Sequence, residues 1–312
     1  MQHVRFYGKK LLVLLLIVSL LMTTGCWDRE ELEELAYVLA MGIDYLPDED
    51  KIEVTTAIIR PLNVAAGQQQ GGGDSETFRL ITTKGDTLST ALEQQNALIV
   101  RRAYFAHNEV VIIGENLARR GLHTVLDRFL RERDLRLSIQ FYVTSEDVKD
   151  VMRSGTRIEE GLPIFLTRWQ QRKDGQILAP VVDLRVFVKN LLSTGIDPVL
   201  PRLSTRTERP TSPQEVEIAG KDSSEMVFYP KVLGTAVFKG DKLAGYLNGA
   251  ETNGLLYVQE NITNVTEIID DPLGNPGKVV VFILRNHTRI IPLQKEGVPK
   301  VRIEVITEGE LC

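Results

Sequence analysis

Residues 110–143 read VVIIGENLARRGLHTVLDRFLRERDLRLSIQFYV. Val110 to Ile113 is an unbroken apolar run of strand length. Glu115 to Arg133 carries Leu117, Leu122, Val125, Leu126, Phe129 and Leu130 at helical spacing, and Leu137, Ile139, Phe141 and Val143 then alternate. Strand, helix and strand in so short a stretch predict a sheet covered by helices. The pattern continues outward in both directions. Downstream, Thr144 with Asp147 starts another helix, and Leu184, Phe187, Val188, Leu191 and Leu192 mark a last one closed by Gly195. Upstream, Phe78 to Thr82 alternates as a strand, and Asp86 caps a helix whose inner face is Leu88, Ala91, Leu92 and Gln95. Tyr37 to Ile43 and Lys51 to Ile59 form strands joined by an acidic turn, Pro47 to Asp50.

Residues 26–196 are thus predicted to form an N-terminal α/β-type domain. Within it, Asp28 and Glu31 have capping-box spacing before Leu32, Leu35, Ala36 and Leu39, which predicts a short amphipathic helix. Ala65 to Glu76, rich in Gln and Gly, is predicted to be a mobile loop. Beyond Gly195 the composition changes to Pro198, Pro201, Pro210 and Pro213 among Ser, Thr and charges. Residues 197–228 are therefore expected to be a Pro-rich linker without helix or central strand. Residues 229–275 follow as a middle domain of one hairpin and one helix. Val232 to Phe238 and Lys242 to Leu247 flank the turn Lys239-Gly240-Asp241, and Asn248 with Glu251 caps a helix running through Val258. Val279 to Leu284, Arg289 to Leu293 and Val301 to Ile306 are strands of a C-terminal β-rich domain, 276–312, that is expected to be incomplete at Leu311-Cys312. The fold class is α+β, multidomain, with mixed sheets covered by helices.

The 312 residues are 43% hydrophobic and 25% charged, which suits a globular chain with real cores and excludes a disordered or collagenous one. With 37 basic against 42 acidic residues there is no bulk positive field, so nucleic acid is not an expected partner. Residues 1–25 read as a signal peptide. Arg5, Lys9 and Lys10 precede the apolar run Leu11 to Met22, whose length as a helix falls well short of the ~30 Å hydrocarbon core. The run ends in Thr23-Thr24-Gly25-Cys26, small residues before a cysteine, and the other thiol is Cys312 at the far end. With two cysteines so placed, a disulfide framework or Cys-based metal site is not expected, and Cys26 is the expected site of lipidation. Trp27 beside it suits either the membrane interface or packing on the first domain.

No catalytic constellation stands out. His107, His123 and His287 lie far apart without metal-ligand spacing, Gly71 to Gly73 is followed by Asp74 rather than Lys-Ser/Thr, and there is no G-x-S-x-G elbow. No enzyme, metal or cofactor is expected. Arg101, Arg102, Tyr104 and His107 are the surface candidates: two adjacent guanidiniums beside an aromatic ring can grip acids on a partner protein. The bland alternative is that Tyr104 and Phe105 enter the core while the arginines pair with Glu109 or Glu115. Arg128, Arg131, Arg133 and Arg136, interleaved with Asp127, Glu132 and Asp134, are expected to form a solvated, salt-bridged face rather than a headgroup-binding patch.

Several segments in register carry a family resemblance: Gly25-Cys26-Trp27-Asp28-Arg29-Glu30, Met41-Gly42-Ile43-Asp44, Arg101-Arg102 with Tyr104-Phe105-Ala106-His107 and Val111-Ile112-Ile113-Gly114-Glu115, and Gly195-Ile196-Asp197-Pro198-Val199-Leu200-Pro201. Ala236-Val237-Phe238-Lys239-Gly240-Asp241-Lys242-Leu243, Asn248-Gly249 and Gly254-Leu255-Leu256 complete the set. With these the chain resembles the Ger(x)C family of spore germination lipoproteins, although Thr23 stands where the family usually has Leu. The resemblance implies a three-domain α+β architecture with the third domain truncated here. It also implies a non-enzymatic C subunit of a nutrient germinant receptor, tied to the bilayer by a diacylglycerol on Cys26, on the outer face of the spore inner membrane. Its partners would be integral membrane A and B subunits. A lipid-anchored solute-binding protein that captures a nutrient directly is the competing reading. It would want an aromatic-lined cleft between two similar lobes, and aromatic residues are only 6% of this chain.

Overall fold

Val110 to Ile113 is buried at every position, and the two parities of the run enter two different cores. This is the signature of a strand covered on both faces. The computed structural model describes residues 34–59, 78–154, 161–171, 179–208, 227–262, 265–271, 276–293 and 300–311, with a few positions between 13 and 17. Its strands are β1 (Leu35–Leu46), β2 (Lys51–Ile59), β3 (Phe78–Gly85), β4 (Arg102–Tyr104), β5 (Val110–Gly114), β6 (Gln140–Thr144), β7 (Val199–Glu208), β8 (Val227–Lys239), β9 (Lys242–Leu247), β10 (Val265–Asp270), β11 (Lys278–Leu293) and β12 (Lys300–Leu311). The helices are α1 (Leu88–Leu98), α2 (Glu115–Arg120), α3 (His123–Arg131), α4 (Val148–Arg153), α5 (Leu162–Gln171), α6 (Leu184–Leu192) and α7 (Gly249–Val258). The architecture is α+β.

Nine strands form one mixed sheet in the order β3-β2-β1-β5-β6-β7-β8-β9, with β4 paired to β1. The middle strands β1, β5, β6 and β7 run parallel, flanked by antiparallel strands on both sides. Met41, Ile43, Val111, Ile113, Phe141 and Val143 face α1, α2, α3 and α6 in one core. Ala40, Val110, Ile112 and Tyr142 face α4 and α5 in the other. A second sheet, β10-β11-β12, is antiparallel throughout, and Leu256 of α7 packs on its Val265 and Ile283.

Several sequence expectations need correcting. Leu35 and Ala36 begin β1, so the amphipathic stripe through Leu32, Leu35, Ala36 and Leu39 is not a helix there; a central strand buried on both faces is as apolar as a helix stripe, and a short run does not separate the two. The single helix expected over 115–133 is two, α2 and α3, because Gly121 takes a positive φ of 124° and turns the chain. Helix α1 is capped by Thr87, in a capping box with Thr90, rather than by Asp86. The Pro-rich segment expected as a linker contains β7, which lies inside the main sheet between β6 and β8. It tolerates Pro198 and Pro201 because they sit at its start, where β7 meets β8 next to an irregularity between Pro201 and Leu203. The two strands expected at 279–293 are one long strand, β11.

Hairpin β8–β9, expected in a separate middle domain, continues the first sheet, and its Ala236, Phe238 and Leu243 share the core of β1 and β5. The ladder between β6 and β7 contains one residue pair, Val143 with Arg202. Side chains reinforce that junction. Glu146 accepts hydrogen bonds from the Thr205 amide at 2.9 Å and from its hydroxyl at 2.5 Å, and Arg202 donates to Ser145 Oγ at 3.0 Å while stacking over the Tyr246 ring. The Gln/Gly stretch, Pro210 and Pro213 lie outside the described residues.

Candidate partner-binding surface

The motif Met41-Gly42-Ile43-Asp44 is structural. Met41 and Ile43 fill one core, while a Cβ on Gly42 would come within 2.3 Å of Val148 in α4 on the other side. Asp44 reaches from the end of β1 to the start of α2, where its Oδ1 accepts from the amides of Tyr45 at 2.8 Å and Leu117 at 3.1 Å. Gly114 has to lack a side chain, since its Cβ would lie 2.0 Å from the Asp44 carboxyl carbon. A carboxylate at a helix N-terminus satisfies an orphan amide donor.

Burial nevertheless raises the Asp44 carboxyl to about pH 6 from the ordinary 3.8. The Tyr45 and Leu117 amides pull it down less than desolvation pushes it up, and Asp147 and Glu53 add like charge. An acid whose pKa is higher in the folded than in the unfolded chain supports the fold most when protonated. Its contribution is fully present below pH 3.8 and is lost as pH rises through about 6. Asp44→Asn keeps an oxygen acceptor for Leu117 and removes the charge. It is expected to be more stable than wild type by about 2 kcal/mol at pH 7, with the gap closing by pH 4. Urea titrations of both chains across that range check this; a gap independent of pH would show that Asp44 is not the titrating group.

The hairpin turn Lys239-Gly240-Asp241 is structural as well. Asp241 caps α3 from across the fold, its backbone carbonyl accepting from the Leu122 amide and its Oδ2 from the His123 amide, both at 3.0 Å. The expected capping box of Asn248 and Glu251 is present at the start of α7. Gln95, a polar residue on the inner face of α1 as the sequence placed it, is buried and hydrogen-bonded: its amide donates to the Val54 and Ile81 carbonyls and its oxygen accepts from Thr56. These motifs serve packing and capping.

The segment around Arg101 is different. Strand β4 brings Arg102 and Tyr104 alongside β1, and Tyr104, His107 and Tyr37 form a mutually contacting trio of rings with centroids 5.5–5.9 Å apart. Tyr37 and Tyr104 are half-buried; His107, Arg101 and Arg102 are exposed. Phe105 turns inward against the cores. Arg102 makes an ion pair with Asp134 at 3.3 Å. Glu109 and Glu115, the acids expected to brace the arginines, accept instead from Thr167 at 2.6 Å and from Arg119 and Tyr246. Tyr37 and Asp134 were invisible as members of this surface, because neither lies near Arg101 in sequence. The arginines of α3 make the solvated face expected of them: Arg128 pairs with Glu132 at 2.5 Å and Arg131 with Asp127 at 2.9 Å. Among the described residues there is no group of three or more His, Cys, Asp or Glu that could hold a metal, and no helix long and apolar enough to cross a membrane. Cys26 and Trp27 lie outside the described residues.

Comparison with known proteins gives the surface a context. Residues 28–205 match the family model described as the spore germination protein N-terminal domain, and residues 233–312 match the spore germination B3/GerAC-like C-terminal model. The chain is 27% identical to spore germination protein KC of Bacillus subtilis (strain 168) over 308 residues, covering 96% of this chain and 74% of that one. It is 26% identical to spore germination protein B3 of the same organism, covering 94% and 72%. A crystal structure of the GerBC protein aligns over 91% of this chain and 74% of that one, at 20% identity and a TM-score of 0.46. The N-terminal model alone takes in more than half of the sequence, and the chain belongs to the Ger(x)C family of spore germination proteins.

Proposed function

We propose that this chain is a non-enzymatic, lipid-anchored subunit of a nutrient germinant receptor, held on the outer face of the spore inner membrane through Cys26 and assembled with integral membrane A and B subunits. Family membership supports the germination role. The observation that carries the assembly role is the surface of Arg101, Arg102, Tyr104 and His107. Where other family motifs such as Met41–Asp44 and the 236–243 hairpin are consumed by packing, this one presents two exposed cations beside a half-buried ring cluster. Arg and Tyr in such an arrangement are the residues that anchor protein interfaces. Trp27, next to the anchor, sits at the membrane interface in this reading.

Affinity purification of the tagged chain from solubilised spore inner membrane tests the proposal. Two multi-pass membrane proteins should come with it; recovery of a permease and an ATPase instead would favour the solute-binding reading. Cys26→Ala should leave the fold intact and release the protein from the membrane, since two acyl chains give stable anchoring where a short apolar segment does not. Fractionation with palmitate labelling checks this. A variant bound as tightly as wild type, together with a wild type that takes up no label, would remove the lipid anchor from the proposal.

A further inference from the structure

Among the described residues between 34 and 262, six large aliphatic side chains are more than half exposed: Leu98, Val100, Leu137, Val181, Leu192 and Ile196. They are not scattered. Leu98 and Val100 flank Ile99, which packs on the cluster of Ala36, Val38 and Ile58 where β1 begins. Leu137 and Val181 belong to two segments that meet at the start of β6, where the Leu137 carbonyl accepts from the Arg185 amide at 3.1 Å and the Val182 carbonyl from the Phe141 amide at 3.2 Å. Leu192 ends α6, and Ile196 lies in its connection to the start of β7. Strands β1, β5, β6 and β7 are parallel, so their starts share one edge of the sheet, and all six side chains stand along it. Single apolar residues on a surface need no explanation, whereas a group gathered at one edge marks an interaction site.

The opposite edge has another character. There β1 turns into β2 with Asp48, Glu49 and Asp50 exposed, and the segments after β5 and β6 carry Glu115 and Asp147. It holds none of the six. At the apolar edge, Arg133 and Arg136 are exposed beside Leu137, and the acids among them, Glu132 and Asp134, are already paired with Arg128 and Arg102. A lipid surface fits this division: interfacial segments sink apolar side chains into the boundary of headgroups and acyl chains, keep arginines at anionic headgroups and turn clustered acids away. The chain itself sets which edge stays close to an anchor on Cys26. Ala36 follows Cys26 by ten residues, a reach of at most about 35 Å. The far end of the twelve-residue β1 lies roughly 40 Å further along the strand.

We propose that the edge where the parallel strands begin rests in the bilayer interface, with Leu98, Val100 and Leu137 dipping among the headgroups and Arg133 and Arg136 on anionic lipid. This rests on the lipid-anchored reading of Cys26, and it sets Arg101 and Tyr104 at membrane height, where subunits embedded in the bilayer can reach them. The test uses the full chain with Cys312→Ser as parent, and Val100→Cys, Leu137→Cys or Asp48→Cys added singly to carry a thiol-reactive nitrobenzoxadiazole dye. Each form is reconstituted into vesicles of equimolar phosphatidylcholine and phosphatidylglycerol. Because interfacial groups lie about 5–10 Å deep, lipid spin-labelled near the headgroup should quench the dye at positions 100 and 137 at least about fivefold more than at 48. Leu98→Glu with Leu137→Glu should remove most of the quench at position 100, and since both side chains are exposed the fold should survive, which circular dichroism verifies. The parent should float with the vesicles and take up no dye, its remaining thiol being the acylated Cys26. A parent that takes up dye or fails to float would remove the anchor and the proposal with it. A floating, undyed parent whose labels at 100 and 137 are quenched no more than the one at 48 would leave the anchor standing and overturn the proposal alone, giving that edge to a protein. A quench at position 100 that the double variant leaves unchanged would overturn it as well.

Discussion

Phe238→Ala is expected to cost about 3–5 kcal/mol of stability, the range for deleting a fully buried phenylalanine side chain. Phe238 on β8 has no exposed surface, and its ring meets that of Phe187 on α6 edge-to-face at 5.2 Å. Edge-to-face pairs add to the value of the buried area. Phe187 lies within the stretch matched by the N-terminal family model and Phe238 within the C-terminal one, so the contact joins the two. Because both rings belong to the core shared by β1, β5 and β9, the loss should be felt on both sides at once. In a Trp27→Phe background, where Trp169 is the remaining indole, a denaturant titration followed by fluorescence and by far-ultraviolet circular dichroism should give two curves that move together. Curves that separate, with the Trp169 transition left in place, would show that residues 233–247 unfold independently of the parallel strands.

If the proposed assembly holds, reversing Arg101 and Arg102 to Glu should abolish co-purification with the membrane subunits proposed as partners and leave the chain folded. Like charges set against each other at an interface cost several kcal/mol, and each 1.4 kcal/mol is a tenfold loss of affinity. The structural cost is small by comparison. Arg102 and Asp134 form a largely exposed pair, a class that contributes roughly 0–1 kcal/mol. Melting curves and pull-downs on one preparation separate the two effects. A melting temperature lowered before binding is lost would reduce the arginines to a structural brace. A stable variant that binds undiminished would take them out of the interface.

Residues whose neighbours are close in sequence were legible. The stripe of α6, the capping box of α7 and the β8–β9 hairpin are set by side chains within a few positions of one another, and each appears where the pattern put it. What failed depended on distant partners. The apolar run at Leu35 reads equally as helix or strand, and it becomes a strand because β2, β4 and β5 all pair with it. Pro198 and Pro201 argue against a central strand, yet the side chains of Glu146 and Arg202 hold β7 where ladder hydrogen bonds are few. The candidate surface divides in the same way. Arg101, Arg102, Tyr104 and His107 announced themselves by adjacency. Tyr37 and Asp134 joined them only when the sheet and the exit of α3 were in place.

The cap that Asp241 places on α3 bears on how the protein can be handled. A tight hairpin turn with glycine at its tip is the place an experimenter would choose for an epitope tag or a fluorescent insertion, since exposed loop tips usually tolerate one. Here the turn is a working part of a distant helix: residues 240–242 cannot be lengthened without lifting Asp241 off the amides of Leu122 and His123. Helix α3 has no side-chain cap of its own to take over. A label inserted there would report on a damaged protein while looking like a conservative choice.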